Sequence, residues 1–411
     1  MRLSEHPRYR LVIAGMAFVA VFAAIGFGRF GYSAVLPSMQ KALGLTSAQA
    51  GSLASWNQAG YTIMALVGGI LASRFGPRII VGLGLVITAA GMLFTGLADG
   101  LLVASAGRFV AGMGNAMVLP PSLALMAAWF EPRRLGTASG VVPAGSSFAL
   151  LVVGPVVPRI IASGGSGGWR AAWYFFAAAT LAIAILALFV QRDRPHAKRH
   201  VVIGNLRWSD MRRIMRSRHA WYLGLLYFLY GFAFLLFFTF FQKRLIVDLG
   251  YSDATAGNLF LVLGATGCAA GVLWGRVSDS VGRGRTMAAV MAVEAVVAVV
   301  FALWHNTPAL VIGSAVFGVC GLSVPALFGA ACGDHFGPRL AAASLGFVTA
   351  FVGIGQMIGP YIGGALEDAF SSLAPCYLLS AGVFIAAAIA SLFLRERRSG
   401  AMQPVHTSSP S

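Results

Sequence analysis

The chain is dominated by long apolar runs that alternate with short polar breaks. The runs are continuous and lack the strict alternation of half-buried strands, so the pattern predicts helices. A helix needs about 20 apolar residues to cross the hydrocarbon core of a bilayer. The predicted spans are residues 11–36, 47–73, 79–98, 101–129, 136–162, 170–191, 219–246, 253–278, 285–305, 308–333, 340–367 and 373–394. The sequence therefore predicts an all-α membrane protein with twelve transmembrane helices in two six-helix bundles.

Composition agrees with this fold class. Hydrophobic residues make up 58% of the chain, charged residues only 10%, and the mean hydropathy is +0.79, as in integral membrane proteins. The first run is too long for a signal-peptide core and lacks a small-residue cleavage site, so we predict that it remains as a helix. The four cysteines lack metal-ligand spacing. We predict no disulfide, no metal site and no cofactor.

The net charge of +17 is distributed unevenly along the chain. With the N-terminus inside, 23 of the 30 lysines and arginines lie at inner ends and loops, five lie outside, and Arg29 and Arg108 lie within spans. This asymmetry follows the positive-inside rule and predicts a bacterial inner-membrane protein with both termini cytoplasmic. The basic excess thus indicates orientation and contact with anionic membrane lipids. We predict no nucleic-acid partner.

One long polar connection divides the chain into two halves of six predicted spans. Glycine, proline and arginine markers of the first half recur 205 or 206 residues later, as in the pairs Gly76/Gly282 and Pro132/Pro338. Such a register indicates an internal duplication with parallel repeats. The predicted parts are an N-terminal bundle (1–191), a cytoplasmic linker (192–218), a C-terminal bundle (219–395) and a disordered cytoplasmic tail (396–411).

The connection between the second and third spans of each half carries a shared pattern. It is Gly69-Ile-Leu-Ala-Ser-Arg-Phe-Gly-Pro-Arg78 in the first half and Gly275-Arg-Val-Ser-Asp-Ser-Val-Gly-Arg-Gly-Arg285 in the second. This pattern resembles the loop signature of the major facilitator superfamily of transporters, and the likeness covers nearly the whole chain. Ser73 stands where that family has an acid in the first copy. The turn from Trp129 to Arg134 is similar to the fifth-span entry of bacterial monocarboxylate and oxalate/formate-type porters.

The resemblance implies a transporter, not an enzyme, in which two bundles rock about a central site between inward- and outward-open states. It also implies gating residues, with Asp279 paired with an arginine across the cytoplasmic gate. The candidate gating residues are Arg74, Arg78, Asp279 and Arg283. Arg108 matches the family's fourth-span arginine-glycine pattern, which is often linked to proton coupling. A structural role, holding helices together, is the alternative for Arg108.

Arg29 is the most unusual residue of the sequence, because its apolar run carries no other charge. An arginine stays charged in such a place and must face protein, water or an anion. It lies about 10 Å below the outer end of the predicted helix. No acid occurs within the first six predicted spans, so a bound carboxylate would satisfy the guanidinium. The alternative is a structural arginine bonded to carbonyl oxygens or reaching outward.

The spans that line the central cavity in the implied fold carry further polar and aromatic side chains. The other candidate substrate-binding residues are Tyr32, Asn115, Tyr227, Tyr230, Phe234 and Gln356. Each also has a structural interpretation, because aromatic stripes often pack and amides in spans usually fasten helices together. Glu294, the only acid deep within a predicted span, is a candidate proton carrier, although its helix is peripheral in the implied fold.

We therefore predict a monomeric secondary transporter of a small organic anion such as a monocarboxylate, driven by protons. The chain has no nucleotide-binding loop of the G-x4-G-K-[ST] type, which disfavours ATP-driven pumping. One alternative is efflux of lipophilic drugs in exchange for protons, against which the lack of acids in the first six spans speaks. The other is a membrane receptor or scaffold without transport, which would leave the duplicated loop pattern without an obvious use.

Overall fold

The computed structural model describes residues 9–193 and 208–394, and this part of the chain is helical almost throughout. Eleven described helices are long and apolar enough to cross a membrane, and a twelfth, Ser47–Phe75, is long enough but polar in its first half. The helices are α1 Tyr9–Leu43, α2 Ser47–Phe75, α3 Pro77–Leu97, α4 Leu101–Trp129, α5 Pro132–Ser163, α6 Gly168–Val190, α7 Arg218–Asp248, α8 Asp253–Val281, α9 Arg283–Leu303, α10 Thr307–Gly337, α11 Ala343–Phe370 and α12 Ala374–Leu392. The predicted all-α fold is confirmed. Linker residues 194–207 and the predicted tail lie outside the described residues.

Local sequence signals explain where several helices begin and end. Thr46 starts α2 with a capping box, in which its hydroxyl accepts from the Gln49 amide (3.2 Å) and the Gln49 side chain accepts from the Thr46 amide (3.0 Å). Gly76 and Gly282 end α2 and α8 with φ of 88° and 104°, a conformation that glycine adopts readily. These glycines occupy equivalent positions of the duplicated loop pattern. The repeat in the sequence is therefore accompanied by the same positive φ at the ends of α2 and α8.

Three central helices are irregular near their midpoints. α1 contains a π-helical stretch, Phe22–Phe30, while α4 is interrupted between Ala116 and Leu119, and α10 between Gly321 and Val324. The two interruptions lie at equivalent positions of the duplicated halves. Irregular backbone within a span is tolerated where it is buried in protein or lines a cavity, and π-helical turns are frequent at functional sites. A functional site is therefore expected at the centre of the molecule.

The first span is longer than predicted. Its helix does not end at residue 36 but continues through Pro37 to Leu43, where Gly44 terminates it with φ of 60°. The last residues are polar, so hydropathy alone marked the end too early. Arg29 consequently lies about 21 Å from this end of α1, near the middle of the helix, and not about 10 Å as predicted.

The two bundles, α1–α6 and α7–α12, are bonded to each other at one end. We call the end where α6 stops and α7 starts the linker end, and the opposite one the far end. At the far end the Asp368 carboxylate accepts hydrogen bonds from the amides of Ser47 and Ala48, both at 2.8 Å. Lys243 donates to the Ser47 hydroxyl (2.9 Å) and pairs with Glu367 (2.6 Å). We call these five residues the far-end latch.

Towards the linker end the bundles separate, as the glycines of α5 and α8 show. A β-carbon on Gly154 would lie 2.3 Å from the carbonyl oxygen of Gly257, so the two backbones touch near the far end. A β-carbon on Gly140 or Gly271, nearer the linker end, would meet no atom within 4 Å. The protein is therefore closed at its far end and open towards its linker end.

Candidate functional site

Arg29 lies where the two bundles meet. Its Nη2 donates a hydrogen bond to Oε1 of Gln356 on α11, 2.7 Å away. Its Nε is buried and has no hydrogen-bond partner among the described residues. The ring centres of Phe30 and Tyr61 lie 5.6 and 5.9 Å from the guanidinium carbon. Within the described chain, Arg29 thus keeps a spare donor and has no carboxylate partner.

Arg108 on α4 has similar chemistry but different bonds. Its side chain is 1% exposed, and its guanidinium donates to the carbonyl oxygens of Gly28 (2.7 Å) and Leu53 (3.4 Å). The guanidinium carbon also lies 4.7 Å from the ring centre of Tyr32 and 5.2 Å from that of Trp173. These contacts connect α4 to α1, α2 and α6. Arg108 is thus a structural tie within the N-terminal bundle, whatever else it does.

Both arginines line one small cavity. Its free space is about 10 Å³, roughly what a single water molecule requires. Tyr32 and Asn57 line it from the N-terminal bundle, and Leu235, Phe238 and Thr239 line it from α7. No residue of this lining is acidic. Two fixed cations without a counter-ion make the cavity electrostatically suited to an anion.

The aromatic residues of α7 form a continuous column beside this cavity. The ring centres of Tyr227 and Tyr230 lie 5.9 Å apart, those of Tyr230 and Phe234 5.4 Å, and those of Phe234 and Phe238 5.6 Å. Phe238 reaches the N-terminal bundle, where its ring lies 4.5 Å from that of Phe30. Gly231, which follows Tyr230, packs against Gln356, the side-chain partner of Arg29. The structure thus brings Tyr227, Tyr230 and Gln356 to the surroundings of this arginine.

Tyr32 and Asn115 make hydrogen bonds inside the N-terminal bundle. The Tyr32 hydroxyl donates to the Ala50 carbonyl oxygen at 2.6 Å while the ring faces the cavity. Asn115 is fully buried just before the interruption of α4, and its amide bonds with the Thr88 hydroxyl at 3.2 Å. Asn115 does not line the cavity of the two arginines. It fastens α4 to α3 at the irregular part of the backbone.

Glu294 lies in the middle of α9, behind the interruption of α10. It is fully buried, and neither carboxylate oxygen has a hydrogen-bond partner among the described residues. One oxygen would lie 2.7 Å from a β-carbon on Gly321. The carbonyl oxygen of Gly321 in turn accepts a hydrogen bond from the Tyr230 hydroxyl at 2.6 Å. The acid is therefore separated from the aromatic column only by the α10 backbone.

The model of one protein family, described as "Uncharacterised MFS-type transporter YbfB", matches residues 21–392 of this chain. The chain belongs to this family of major facilitator superfamily transporters. The resemblance identified from the duplicated loop pattern is thereby confirmed.

Two relatives and one solved structure illustrate the similarity. The chain is 25% identical to the probable sulfoacetate transporter SauU of Cupriavidus necator, with 95% of each chain covered. It is 27% identical to the oxalate:formate antiporter of Oxalobacter formigenes, over 80% of this chain and 78% of that one. A bacterial homologue of the human lysosomal transporter Spinster, in an inward-facing and occupied conformation, has a TM-score of 0.74, 16% identity, and coverage of 94% of this chain and 95% of that chain. This structural likeness shows the fold.

In this major facilitator superfamily chain, the second copy of the loop pattern forms a charge cluster at the linker end. Arg283 pairs with Asp279 at 2.7 Å and with Asp334 at 2.8 Å. All three residues belong to the C-terminal bundle. Among the described residues, Asp279 pairs with no arginine of the other bundle, since the bundles are apart at this end.

The first copy of the loop pattern is organised by an acid that sequence analysis missed. Ser73 replaces the expected acid, but Asp193, just after α6, accepts from the Arg78 amide at 3.1 Å. The Arg78 side chain donates to the carbonyl oxygen of Leu188 at 3.1 Å, and Arg74 lies over the ring of Phe75. Asp193 also fills the space beside Gly76. The missing acid is thus replaced from the segment that follows α6.

The far-end latch was also missed by sequence analysis. Lys243 is one of the five lysines and arginines predicted to lie outside, and acids near the end of a span have many ordinary explanations. One signal was available, because Glu367 and Asp368 are the only adjacent acids in the sequence. The partners of Asp368 on α2 are about 320 residues away along the chain, and Lys243, the partner of Glu367, is 124 residues away, so no local pattern pairs them.

Proposed function

We propose that this protein is a secondary transporter that moves a small monocarboxylate-like anion across the inner membrane by alternating access, coupled to protons. The observation that carries the proposal is the state of Arg29. This permanently charged group lies between the bundles with a spare donor, an amide oxygen as its side-chain partner and no acid paired with it in the described chain. A carboxylate can occupy its donors through paired charge-assisted hydrogen bonds.

The different bonds of the two arginines favour an anion with one carboxylate. Arg108 already donates to two carbonyl oxygens through Nε and Nη1, whereas Arg29 donates to one amide oxygen and keeps its buried Nε unpaired among the described residues, so Arg29 is the better placed to bind a carboxylate. Phe30 and Phe238 beside it suit a short apolar tail. The free space of about 10 Å³ is too small for a carboxylate. We propose that the site widens when Gln356 leaves Arg29.

The names of the relatives support the anion proposal. Sulfoacetate, oxalate and formate, in the names of two of them, are small organic anions. Efflux of cationic drugs would be expected to place an acid at the cavity, and the described lining contains none. A static receptor or scaffold gives no reason for bundles that are bonded at one end and separated at the other.

We further propose that the linker end and both termini face the cytoplasm, so that the structure is the inward-open state of a monomeric carrier. The gate at this end would then include Arg74, Arg78 and the cluster of Asp279 and Arg283. A salt bridge in the C-terminal bundle, and the hydrogen bond from the Arg78 amide to Asp193 in the N-terminal bundle, hold these loops while the gate is open. Exchange of such pairs for contacts between the bundles would accompany closure.

Uptake into proteoliposomes tests the anion site. Labelled formate, acetate, oxalate and sulfoacetate are offered with and without an imposed pH gradient, using wild type, Arg29→Gln and Arg29→Lys. We expect wild type to accumulate a monocarboxylate when the gradient is imposed. Removing the charged partner of a carboxylate costs about 2 kcal/mol or more, so uptake by Arg29→Gln should fall roughly 30-fold at low anion concentration. Arg29→Lys should retain part of the activity, because it keeps the charge but not the fork of donors.

Arg159→Gln is the matched control, since Arg159 is an exposed arginine at the far end of α5. It removes one positive charge without touching the site and should transport like wild type. Wild-type uptake rates in Arg29→Gln would refute the assignment of Arg29. Transport of lipophilic cations and of no anion in the panel would refute the proposed function.

A further inference from the structure

Glu294 occupies a position that ordinary packing does not explain. It lies about 14–16 Å from either end of α9, is 0% exposed, and has no partner for either carboxylate oxygen among the described residues. A buried polar group without a partner costs free energy, and an isolated buried charge costs much more. Ionisable residues inside spans are rare and commonly belong to ion or proton pathways.

Two helices, α10 and α7, bring identified groups close to Glu294. From α10, Gly321 lies directly against the carboxylate and Cys320 is close enough to interact electrostatically. From α7, the Tyr230 hydroxyl donates to the Gly321 carbonyl oxygen, and Phe234 lies beside Gly321. Neither α8 nor α12, nor any other described element, brings a charged side chain to it. The surroundings therefore accommodate a neutral carboxylic acid and offer nothing to an anion.

The position of Glu294 relative to Arg29 connects the acid to the proposed anion site. The Tyr230 hydroxyl donates to the Gly321 carbonyl oxygen, and a β-carbon on the next residue, Gly231, would lie 3.2 Å from Cγ of Gln356, the partner of Arg29. α10 is interrupted just after Gly321, so this carbonyl group is not fixed by a regular helix. A change at Arg29 can thus reach the acid through one hydroxyl and one carbonyl group.

We propose that Glu294 binds and releases the proton that accompanies the anion, and that Tyr230 links its protonation to occupancy of Arg29. This inference rests on the proposed function. A bound carboxylate is a stronger acceptor than a peptide carbonyl group and draws the Tyr230 hydroxyl towards Arg29. The vacated Gly321 carbonyl oxygen then accepts a hydrogen bond from protonated Glu294. The only covalent change is the O–H bond of the acid, whose proton enters from one side of the membrane and leaves on the other.

A sodium ion is the other cation that a buried carboxylate can hold. Such an ion needs several oxygen ligands, and the described residues around Glu294 provide no second acid. The carbonyl oxygen of Gly321, the nearest candidate ligand, is already occupied by Tyr230. The geometry therefore favours a proton, and the experiment contains an arm that separates the two ions.

The test uses the full-length protein and the variants Glu294→Gln and Glu294→Asp. Glutamine has the shape of the neutral acid, so folding should be retained. Glu131→Gln is the matched control, because Glu131 is an exposed acid at the start of α5. Infrared spectra of the purified proteins across a pH series report protonated carboxyl groups through their C=O stretching band. Proteoliposomes then report accumulation of the labelled monocarboxylate under a pH gradient, or under a sodium gradient at equal pH.

We expect wild type and Glu131→Gln to show the band of a buried protonated carboxyl group, to change it when acetate is added, and to accumulate anion under the pH gradient. Glu294→Gln should lack that band and accumulate no more anion than without a gradient, while exchange of labelled for unlabelled anion remains detectable. Glu294→Asp should retain a shifted band and part of the accumulation.

Three results would overturn the proposal. The first is that Glu294→Gln shows the same carboxyl band as wild type. The second is that this variant accumulates the anion fully under the pH gradient. The third is that wild type accumulates the anion under a sodium gradient at equal pH and that the variant does not. The infrared arm needs no transported substrate. If no carboxylate in the panel is transported, the proposed function fails while the spectra still decide whether Glu294 carries a proton.

Discussion

Two arginines of equal charge line one cavity but make different hydrogen bonds. Arg108 donates to the carbonyl oxygens of Gly28 and Leu53 and is enclosed by aromatic rings. Arg29 donates to the amide oxygen of Gln356 and keeps a buried donor unused. Charge alone does not identify a binding residue in a membrane. The proposed binding role of Arg29 rests on the buried donor that the described residues leave unpaired.

The bond between Arg29 and Gln356 leads to a prediction for Gln356→Glu. A carboxylate at this position would pair with the guanidinium and compete with the transported anion. Hydrogen bonds to charged groups contribute about 1.5–3 kcal/mol, so we expect KM for the anion to rise at least tenfold. The measurement is the concentration dependence of uptake in proteoliposomes.

Gln356→Asn serves as the neutral control for this change, because it keeps an amide but withdraws it from Arg29. Its KM should stay near the wild-type value or fall. An unchanged KM in Gln356→Glu would show that Gln356 and the anion do not share the same donors.

At the level of residues, the sequence showed which kind of partner Arg29 lacks but not which residue it bonds. The lack of acids in the first six spans correctly indicated that Arg29 has no carboxylate partner among the described residues. Its amide partner, 327 residues later, depends on how the two bundles are placed against each other. The same holds for Arg108, whose partner Gly28 becomes accessible only after helices have packed. Such pairings depend on tertiary packing and cannot be predicted from a local sequence pattern.

Among the elements, the helices themselves were predictable because apolar length is a strong constraint in a bilayer. Their irregularities were not. The π-helical stretch Phe22–Phe30 and the interruption after Gly321 have no signature in hydropathy, because neighbouring helices stabilise them. The polar end of α1, up to Leu43, was missed for a related reason, since a helix can continue beyond the apolar core.

The connection between α2 and α11 provides a prediction about conformational balance. Asp368 caps the start of α2 from the other bundle and thereby holds the far end closed. Replacing a capping acid by alanine costs about 1 kcal/mol, so Asp368→Ala should shift the equilibrium about fivefold away from the present state. Spin labels at Ser163 of α5 and Ala254 of α8, in a cysteine-free background, measure the fraction of molecules with an open far end.

Asp99→Ala is the control, since Asp99 is an exposed acid at the far end in the connection between α3 and α4. It should leave the distribution of distances unchanged. A distribution for Asp368→Ala that matches wild type would mean that the latch does not stabilise the closed far end.

For the molecule as a whole, α5 and α8 carry small residues at matched seven-residue intervals. Starting from the far end, a β-carbon on Gly154 would lie 2.3 Å from the carbonyl oxygen of Gly257. A β-carbon on Gly264 would lie 2.7 Å from the carbonyl oxygen of Ser147. The next pair in this register would be Gly140 and Gly271, and each of them faces open space. Small residues let helices approach closely in membranes. The third pair is therefore expected to meet in the opposite state, when the linker end closes.

Gly140→Leu tests this expectation. The present state has room for the side chain, so folding should be retained, but closure of the linker end would trap it against α8. Overpacking of a helix contact costs about 1–3 kcal/mol, and uptake should fall roughly tenfold or more. Spin labels at Arg134 and Ser280 should show a short-distance population on anion addition in wild type but not in the variant. Gly15→Leu is the control, because Gly15 is an exposed glycine of α1 with equal space around it, and it should behave like wild type in both measurements. If Gly140→Leu also behaves like wild type in both, closure along this register is excluded.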